Sequence, residues 1–367
     1  MDLNEKIKQS ENKQSKKTIL INGFFLCHRL SGIERYAYEI TKRLDNISSA
    51  NEIAMIVPKN IDIPEYKNLK IIRYGKKIKN ILWQMIYLQW FLITHRNYTV
   101  LDYGNTALPF APSIVFLHDI YCEFFPEDFK GFKNKLVRIY NRWQYRLIAK
   151  KAKKIVTVSE YSKNEITKAL KADSSKIEVV YSSADHIKSI DPDMSIFKDY
   201  PLLKNTQYYF SFGNLYKRKN TNWIIDYAKN HPDSLFAISG TWLTDKKETA
   251  SADRIPKNVV LLGYLKDEIT KALMINCKAF ILPSYYEGFG LTPLEALACG
   301  VPIIISNTAS LPEIYGDTAH YIDPHSTNTD LDELLRQPVE KPFKILMKYS
   351  YDTAAVQVYG IIKDMQQ

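Results

Sequence analysis

Short apolar runs alternate along this chain with longer stretches in which apolar residues return every three or four positions. The runs Thr18 to Gly23, Ile53 to Val57, Ile114 to Leu117, Ile155 to Val158 and Ile177 to Tyr181 read as buried strands. Helical patterns cover Ile33 to Leu44 and roughly Phe132 to Lys151. In the latter, Leu136, Tyr140, Trp143 and Leu147 form a stripe expected to face inward. Periodicity is lost over 183–206, which holds Asp191-Pro192 and Tyr200-Pro201. It then restarts, with strands at Tyr208 to Phe212, Leu235 to Ser239, Val259 to Leu262, Ala279 to Leu282, Ile303 to Ser306 and Tyr321-Ile322. Asn220 to Ala228 and Asp267 to Ile275 read as helices between them. Strands alternating with helices predict parallel sheets covered on both faces. The divisions read as a leader at 1–17, a first α/β domain at 18–190, a linker at 191–206, a second α/β domain at 207–345 and a terminal segment at 346–367.

A length of 367 residues suits two such domains, and 46% hydrophobic residues is ordinary for a globular protein. Cys27, Cys122, Cys277 and Cys299 are scattered without a CxxC pair, which argues for a reducing compartment and against a zinc site. Residues 1–17 are polar and show no signal peptide. The longest apolar stretch, Ile81 to Ile93, is interrupted by Gln84 and Gln89 and is too short to span a bilayer. A cytoplasmic protein is expected. Its net charge of +10 asks for an anionic partner.

The most informative segment runs from Ser284 to Pro302. A strand leads into Tyr286-Glu287-Gly288-Phe289-Gly290-Leu291, then Thr292-Pro293 as an N-cap and first-turn proline, with Gly300 where the helix stops. Such a loop aims free N–H groups and a helix dipole at one point, which suits a diphosphate. Glu287 and Glu295, eight positions apart, can accept hydrogen bonds from sugar hydroxyls. Thr292 to Glu295 equally fits a capping box.

Other candidates fall at strand ends. Gly213 opens the segment Gly213-Asn214-Leu215-Tyr216-Lys217-Arg218-Lys219-Asn220, where three successive cations precede a helix. Cations there are unfavourable without an anion nearby, so Arg218 and Lys219 read as phosphate clamps; a solvated basic turn is the plainer alternative. His118 either contacts substrate or is a satisfied structural histidine. Gly32 either lets its backbone approach a ligand or makes a turn. Arg138, Arg142, Arg146 and Lys150 recur every four residues with no acidic residue between Lys130 and Lys154. They are expected to form a surface for anionic lipid or a lipid-linked diphosphate. Ile81 to Ile93, with Trp83 and Trp90, either dips into the same interface or forms a buried helix.

Together these residues resemble family 4 of the retaining glycosyltransferases, over most of the chain and most strongly from Lys217 to Asp323. The Glu-x7-Glu element is matched by Glu287 and Glu295, the family's Arg-Lys pair by Arg218-Lys219, its first glycine loop by Ser31-Gly32-Ile33-Glu34-Arg35-Tyr36, and its histidine by His118. The resemblance implies a GT-B fold, two Rossmann-like domains facing each other across a cleft, with the last helix crossing back onto the first domain. It implies that Glu287 contacts the transferred sugar and Glu295 the ribose. Arg218 and Lys219 would hold the diphosphate with amides of Gly288, Phe289, Gly290 and Leu291, and His118 would bond a sugar hydroxyl. Gly32 would approach the phosphates or the acceptor. Two departures bear on the acceptor side: Ser182-Ser183-Ala184-Asp185 replaces the family's Asn-Gly-x-Asp, and Glu34 or a neighbour replaces a second glycine.

The expected reaction is retaining hexosyl transfer from a nucleoside diphosphate sugar, of GDP-mannose or UDP-hexose type, to a lipid-linked or oligosaccharide acceptor in surface polysaccharide assembly. No Asp-x-Asp stands in a loop beside these residues, so a metal-independent reaction without a cofactor is expected. An epimerase or phosphorylase on the same fold is the alternative. A nucleic-acid-binding role fits poorly, because basic residues cluster on one helix without a recognition motif. The first strand lacks GxGxxG, which disfavours a dehydrogenase.

Overall fold

The protein is described by a computed structural model that covers residues 17–366 except 31, 110, 112, 214, 215 and 241–254. The expected leader therefore lies outside the described residues, apart from Lys17. So do Ser31, Asn214 and Leu215 of the two candidate loops.

The described chain forms two parallel sheets. The first holds β1 (Thr18–Asn22), β2 (Ile53–Lys59), β3 (Lys70–Lys76), β4 (Tyr98–Asp102), β5 (Ser113–Phe116), β6 (Lys154–Thr157) and β7 (Ile177–Val179), in the order β3-β2-β1-β4-β5-β6-β7. The second holds β8 (Tyr208–Phe212), β9 (Leu235–Ser239), β10 (Val259–Gly263), β11 (Ala279–Leu282), β12 (Ile303–Ser306) and β13 (His320–Ile322), in the order β10-β9-β8-β11-β12-β13. Strand order reverses beside β1 in one sheet and beside β8 in the other, so each sheet opens a crevice beyond its carboxyl ends. This is the expected two-domain α/β architecture of the GT-B type.

Parallel strands buried on both faces need continuous apolar sequence, and Ile19 to Ile21, Ile53 to Val57 and Ile303 to Ile305 meet that need with no exposure. Two strands escape the periodicity reading. β3 is an edge strand whose Lys and Arg side chains reach solvent, and β4 carries the polar Thr99 and Asp102 at buried positions. The segment 183–206 is not featureless either. Short helical turns at Asp185–Ser189, Ile196–Asp199 and Pro201–Asn205 bury Ile187, Ile196, Phe197 and Leu203.

On one face of the first sheet lies α1 (Gly32–Ile47), crossed by the last helix of the chain, Tyr351–Gln366. Tyr351 meets Tyr36 ring to ring at 6.0 Å, Arg43 pairs with Asp352, and the Tyr359 hydroxyl donates to Glu52 Oε2 at 2.9 Å. The opposite face is covered by α2, a helical stretch over 80–94 that is π-helical at Gln84–Leu88, and by α3 (Gly131–Lys151).

Here α3 departs from expectation. Leu136 and Trp143 point to solvent, and the residues it buries are Gln144, Tyr145 and Ile148. The reason is in the polar contacts. Gln144 Oε1 accepts from the Ala107 amide at 3.0 Å, while Tyr145 and Ile148 pack on β5 and β6, so the sheet-facing side of the helix is only partly apolar. Its arginines are also engaged. Arg138 Nε donates to the Cys122 carbonyl at 2.8 Å, and Arg142 and Arg146 each reach Glu123 at 2.8 Å. They fasten the short helix Tyr121–Phe124 to α3; Lys150 remains exposed.

Candidate active site

The strand ends of both sheets meet. After β8, Gly213 donates its amide to the Ser239 carbonyl at 2.7 Å. A Cβ at Gly213 would fall 2.6 Å from Ile238 Cγ2, so this position is a packing glycine between β8 and β9. The cations that follow stand one turn before the helix Thr221–Asn230, which starts at its N-cap Asn220 as expected. Lys217–Lys219 make a 3-10 turn closed by Asn220 in the left-handed region. The Asn220 side chain fixes that turn by donating to the carbonyls of Pro283 (3.0 Å) and Pro324 (2.8 Å). Lys217 turns away, pairing with Glu127 of the first domain at 2.7 Å.

Arg218 and Lys219 turn inward onto Glu287. Lys219 Nζ lies 2.7 Å from one carboxylate oxygen and Arg218 Nη1 lies 3.8 Å from the other. Burial alone would raise the Glu287 carboxyl, but Lys219 and Arg218 outweigh it and hold the group below its usual range. Burial pulls Lys219 downward against the attraction of Glu287. The Arg218 guanidinium stacks over the Tyr121 ring of the first domain at 4.6 Å, and its Nε is buried without a partner among the described residues. Asp119 adds negative charge near both cations.

The loop after β11 is held by hydroxyls from the segment after β12. Ser310 Oγ donates to the Glu287 carbonyl at 2.9 Å, and Thr308 Oγ1 to the Ser284 carbonyl at 3.1 Å. Gly290, at φ +81°, is the residue that starts the next helix, Leu291–Ala298. Thr292 is therefore inside the first turn and does not cap it. No capping box forms around Glu295: its carboxylate lies 3.0 Å from His186 Nε2, across the interdomain boundary. The Phe289 side chain is buried against Tyr349, so only its backbone can serve a ligand. The Tyr315 phenol senses both Glu287 and Glu295 and donates to the Gly290 carbonyl.

From the first domain, His118 stands behind β5. Its Nε2 is 3.3 Å from the Tyr103 carbonyl and its ring meets Tyr36 edge-on at 5.4 Å. Burial lowers its proton affinity. Gly288 touches this strand end: a Cβ there would sit 2.9 Å from the His118 carbonyl oxygen. The Gly288 carbonyl accepts from Ser159 Oγ at 2.7 Å. Gly32 is the first residue of α1, with nothing near its Cβ position, and Glu34 on the same turn lies close enough to His118 to act on its charge.

Arg218, Lys219, Glu287, Gly288 and the His118–Asp119 backbone thus form one cluster, while Glu295 stands one helix away with His186. Asp119, Tyr121 and His186 were not among the sequence candidates. Asp119 follows His118 directly and was readable as a strand-end polar residue. His186 had no local signal at all.

A family model described as glycosyl transferases group 1 matches residues 194–353, and one described as Glycosyltransferase Family 4 matches residues 30–186. The O-antigen chain mannosyltransferase B of Escherichia coli is 26% identical over 336 residues, covering 82% of this chain and 84% of that protein. The Escherichia coli UDP-Gal:alpha-D-GlcNAc-diphosphoundecaprenol alpha-1,3-galactosyltransferase is 31% identical over 193 residues, 49% of each chain. The Anabaena protein HepE, solved in complex with UDP-glucose, shares the fold at a TM-score of 0.69 and 17% identity, over 95% of this chain and 99% of its own.

Proposed function

The chain belongs to the glycosyltransferases of the family-4 type, with one family model in each half, and from that premise we propose that it moves a hexosyl unit from a nucleoside diphosphate sugar to a glycan acceptor in O-antigen or related surface polysaccharide assembly. One observation carries the donor reading. Two partly buried cations and a buried carboxylate share one cluster at strand ends, and the Arg218 Nε has an unused hydrogen. A diphosphate oxygen answers that geometry, since an arginine fork and a lysine point charge together meet the charge that develops on the leaving group.

In this reading Arg218 and Lys219 hold the diphosphate, Glu287 accepts from sugar hydroxyls, and Glu295 accepts from the ribose. His118 and Gly288 close the sugar side. The acceptor oxygen forms the new bond to the sugar's anomeric carbon as the bond to the phosphate oxygen breaks. The departing phosphate takes the acceptor's proton on the same face, so configuration is retained and no protein nucleophile is needed. Charge on the leaving group is met by Arg218, Lys219 and backbone amides without a metal. The acceptor is a lipid-linked glycan, met at the cytoplasmic face of the membrane. GDP-mannose and UDP-hexoses are both compatible donors, in line with a mannosyltransferase and a galactosyltransferase among the relatives.

The test is a thermal-shift panel of nucleoside diphosphates and their sugars. A ligand at about 100 times its Kd adds about 2.7 kcal/mol of stability. One base is expected to stand out from the rest. A panel in which no nucleotide raises the melting temperature counts against the donor reading.

A further inference from the structure

We propose that α2 and α3 together form a membrane-docking face, in which two outward apolar stripes enter the headgroup region of an anionic bilayer. The proposal draws on the acceptor reading only in choosing a lipid surface. The face itself stands on exposure and charge.

The two helices cover the same side of the first sheet. Leu20 is in register with Ala54 and Val100, and this side carries Trp83, Leu88 and Phe91 of α2. Asp102 is in register with Val115, which with Ile155 receives Tyr145 and Ile148 of α3. Because residues two apart on a strand share a face, Val100 and Asp102 put both helices on one side, above neighbouring strands.

Each helix then turns a second apolar side to solvent. On α2, Leu82, Ile86, Trp90 and Ile93 are between 41% and 60% exposed. On α3, Phe132, Leu136, Ile139 and Trp143 are between 47% and 77% exposed, spaced four, three and four residues apart and so aligned in one narrow stripe. Two such stripes on one side exceed the scattered apolar residues of an ordinary surface.

Charge identifies the occupant. Residues 66–101 and 129–159 hold seventeen lysines and arginines and no aspartate or glutamate. Lys76, Lys77 and Lys79 lead into α2, and Lys130, Lys133 and Lys135 flank the start of α3, all exposed. Apolar stripes bearing tryptophan and rimmed by lysine match an interface of acyl chains beneath anionic headgroups. No described helix is long and apolar enough to cross a membrane, so the face lies on the bilayer. Arg138, Arg142 and Arg146 are spent on Cys122 and Glu123, and insertion of the stripes takes the place of arginine contact.

Co-sedimentation of the full chain with vesicles, without nucleotide or acceptor, tests this. Phosphatidylcholine vesicles containing phosphatidylglycerol are expected to bind it, phosphatidylcholine alone much less, with a blue shift of tryptophan emission. Ile139→Asn with Ile86→Asn is expected to lower binding about tenfold. Melting temperature and nucleotide binding report whether that variant folds. Should it fail to fold, Lys133→Gln with Lys135→Gln is expected to weaken binding to anionic vesicles alone. Pelleting no greater with vesicles than without overturns the proposal. So does unchanged binding by both variants, or self-association that the same substitutions abolish, which would make the stripes an interface between copies. A chain that binds vesicles but no nucleotide would overturn the donor reading and leave this one standing.

Discussion

His186 Nε2 lies 3.0 Å from Glu295 Oε1, joining the segment after β7 to the helix that carries the second glutamate of the Glu-x7-Glu element. Both side chains are nearly buried. The contact sets where the Glu295 carboxylate points, and it crosses from one half of the molecule to the other. His186→Ala is expected to weaken nucleoside diphosphate binding about tenfold, because the Glu295 carboxylate loses the contact that positions it. Turnover at saturating donor should change less. Isothermal titration with the diphosphate reads it, and unchanged affinity would separate His186 from the nucleotide.

Lys219→Ala removes one of two cations facing Glu287. Turnover is expected to fall several hundredfold, about 3–4 kcal/mol of transition-state stabilisation. A defined transfer assay checks it. Activity within a few-fold of the parent would take Lys219 out of the chemistry.

Gly288→Ala puts a methyl group 2.9 Å from the His118 carbonyl oxygen and 3.0 Å from Asp119 Cβ. Backbone cannot yield cheaply, so the two halves must separate. Turnover is expected to drop at least about tenfold, because small misplacements of reacting groups are costly. The melting temperature should fall less steeply than turnover, since the methyl group meets a strand end and not the interior of either sheet. Full activity in this variant would show that His118 and the Gly288 loop need not touch during transfer.

Glu313 reaches from the second domain to accept from the amides of Glu160 (2.8 Å) and Tyr161 (2.7 Å), at the start of a first-domain helix, Glu160–Leu170. It acts as a cap supplied in trans by the other domain. Glu313→Ala is expected to cost about 1–2 kcal/mol and to loosen the interdomain contact. A larger radius of gyration by solution scattering, reversed by nucleotide, is the expected sign. An unchanged radius together with unchanged stability would argue that the contact carries no energy.

Asp102 is fully buried at the end of β4. Burial pushes its carboxyl up to about 6, although Asn22 Nδ2 (2.6 Å) and the Gly104 amide (2.7 Å) favour the charged form. The folded value lies above the unfolded one, so the folded state holds the proton longer. This contribution to stability is complete near pH 4 and is lost as pH rises through 6, by roughly 3 kcal/mol. Denaturant midpoints at pH 4 and pH 7.5 should show most of that fall, and Asp102→Asn should flatten it. A parent whose stability is level across that window would refute the assignment.

The strands were legible where burial on two faces demanded uninterrupted Ile, Val and Leu. β3 and β4 were not, because an edge strand tolerates lysine and a strand end beside a cleft can bury an aspartate. Arg218, Lys219 and Glu287 were legible because each follows a strand in a loop that has no structural need for charge. The Leu136–Trp143 stripe was misread as inward. A helix with apolar residues on one side and glutamine, tyrosine and isoleucine on another does not announce which side the sheet will take.

Local pattern by itself determined the alternating elements, the two parallel sheets and the carboxylate and cation types at strand ends, since these depend on spacing along a few residues. Which groups meet was decided only when the halves came together. His186 on Glu295, Glu313 on a foreign helix and Gly288 against His118 join residues 109 to 170 positions apart. No periodicity encodes such contacts, because they arise from the relative placement of two sheets and not from the propensity of either chain segment.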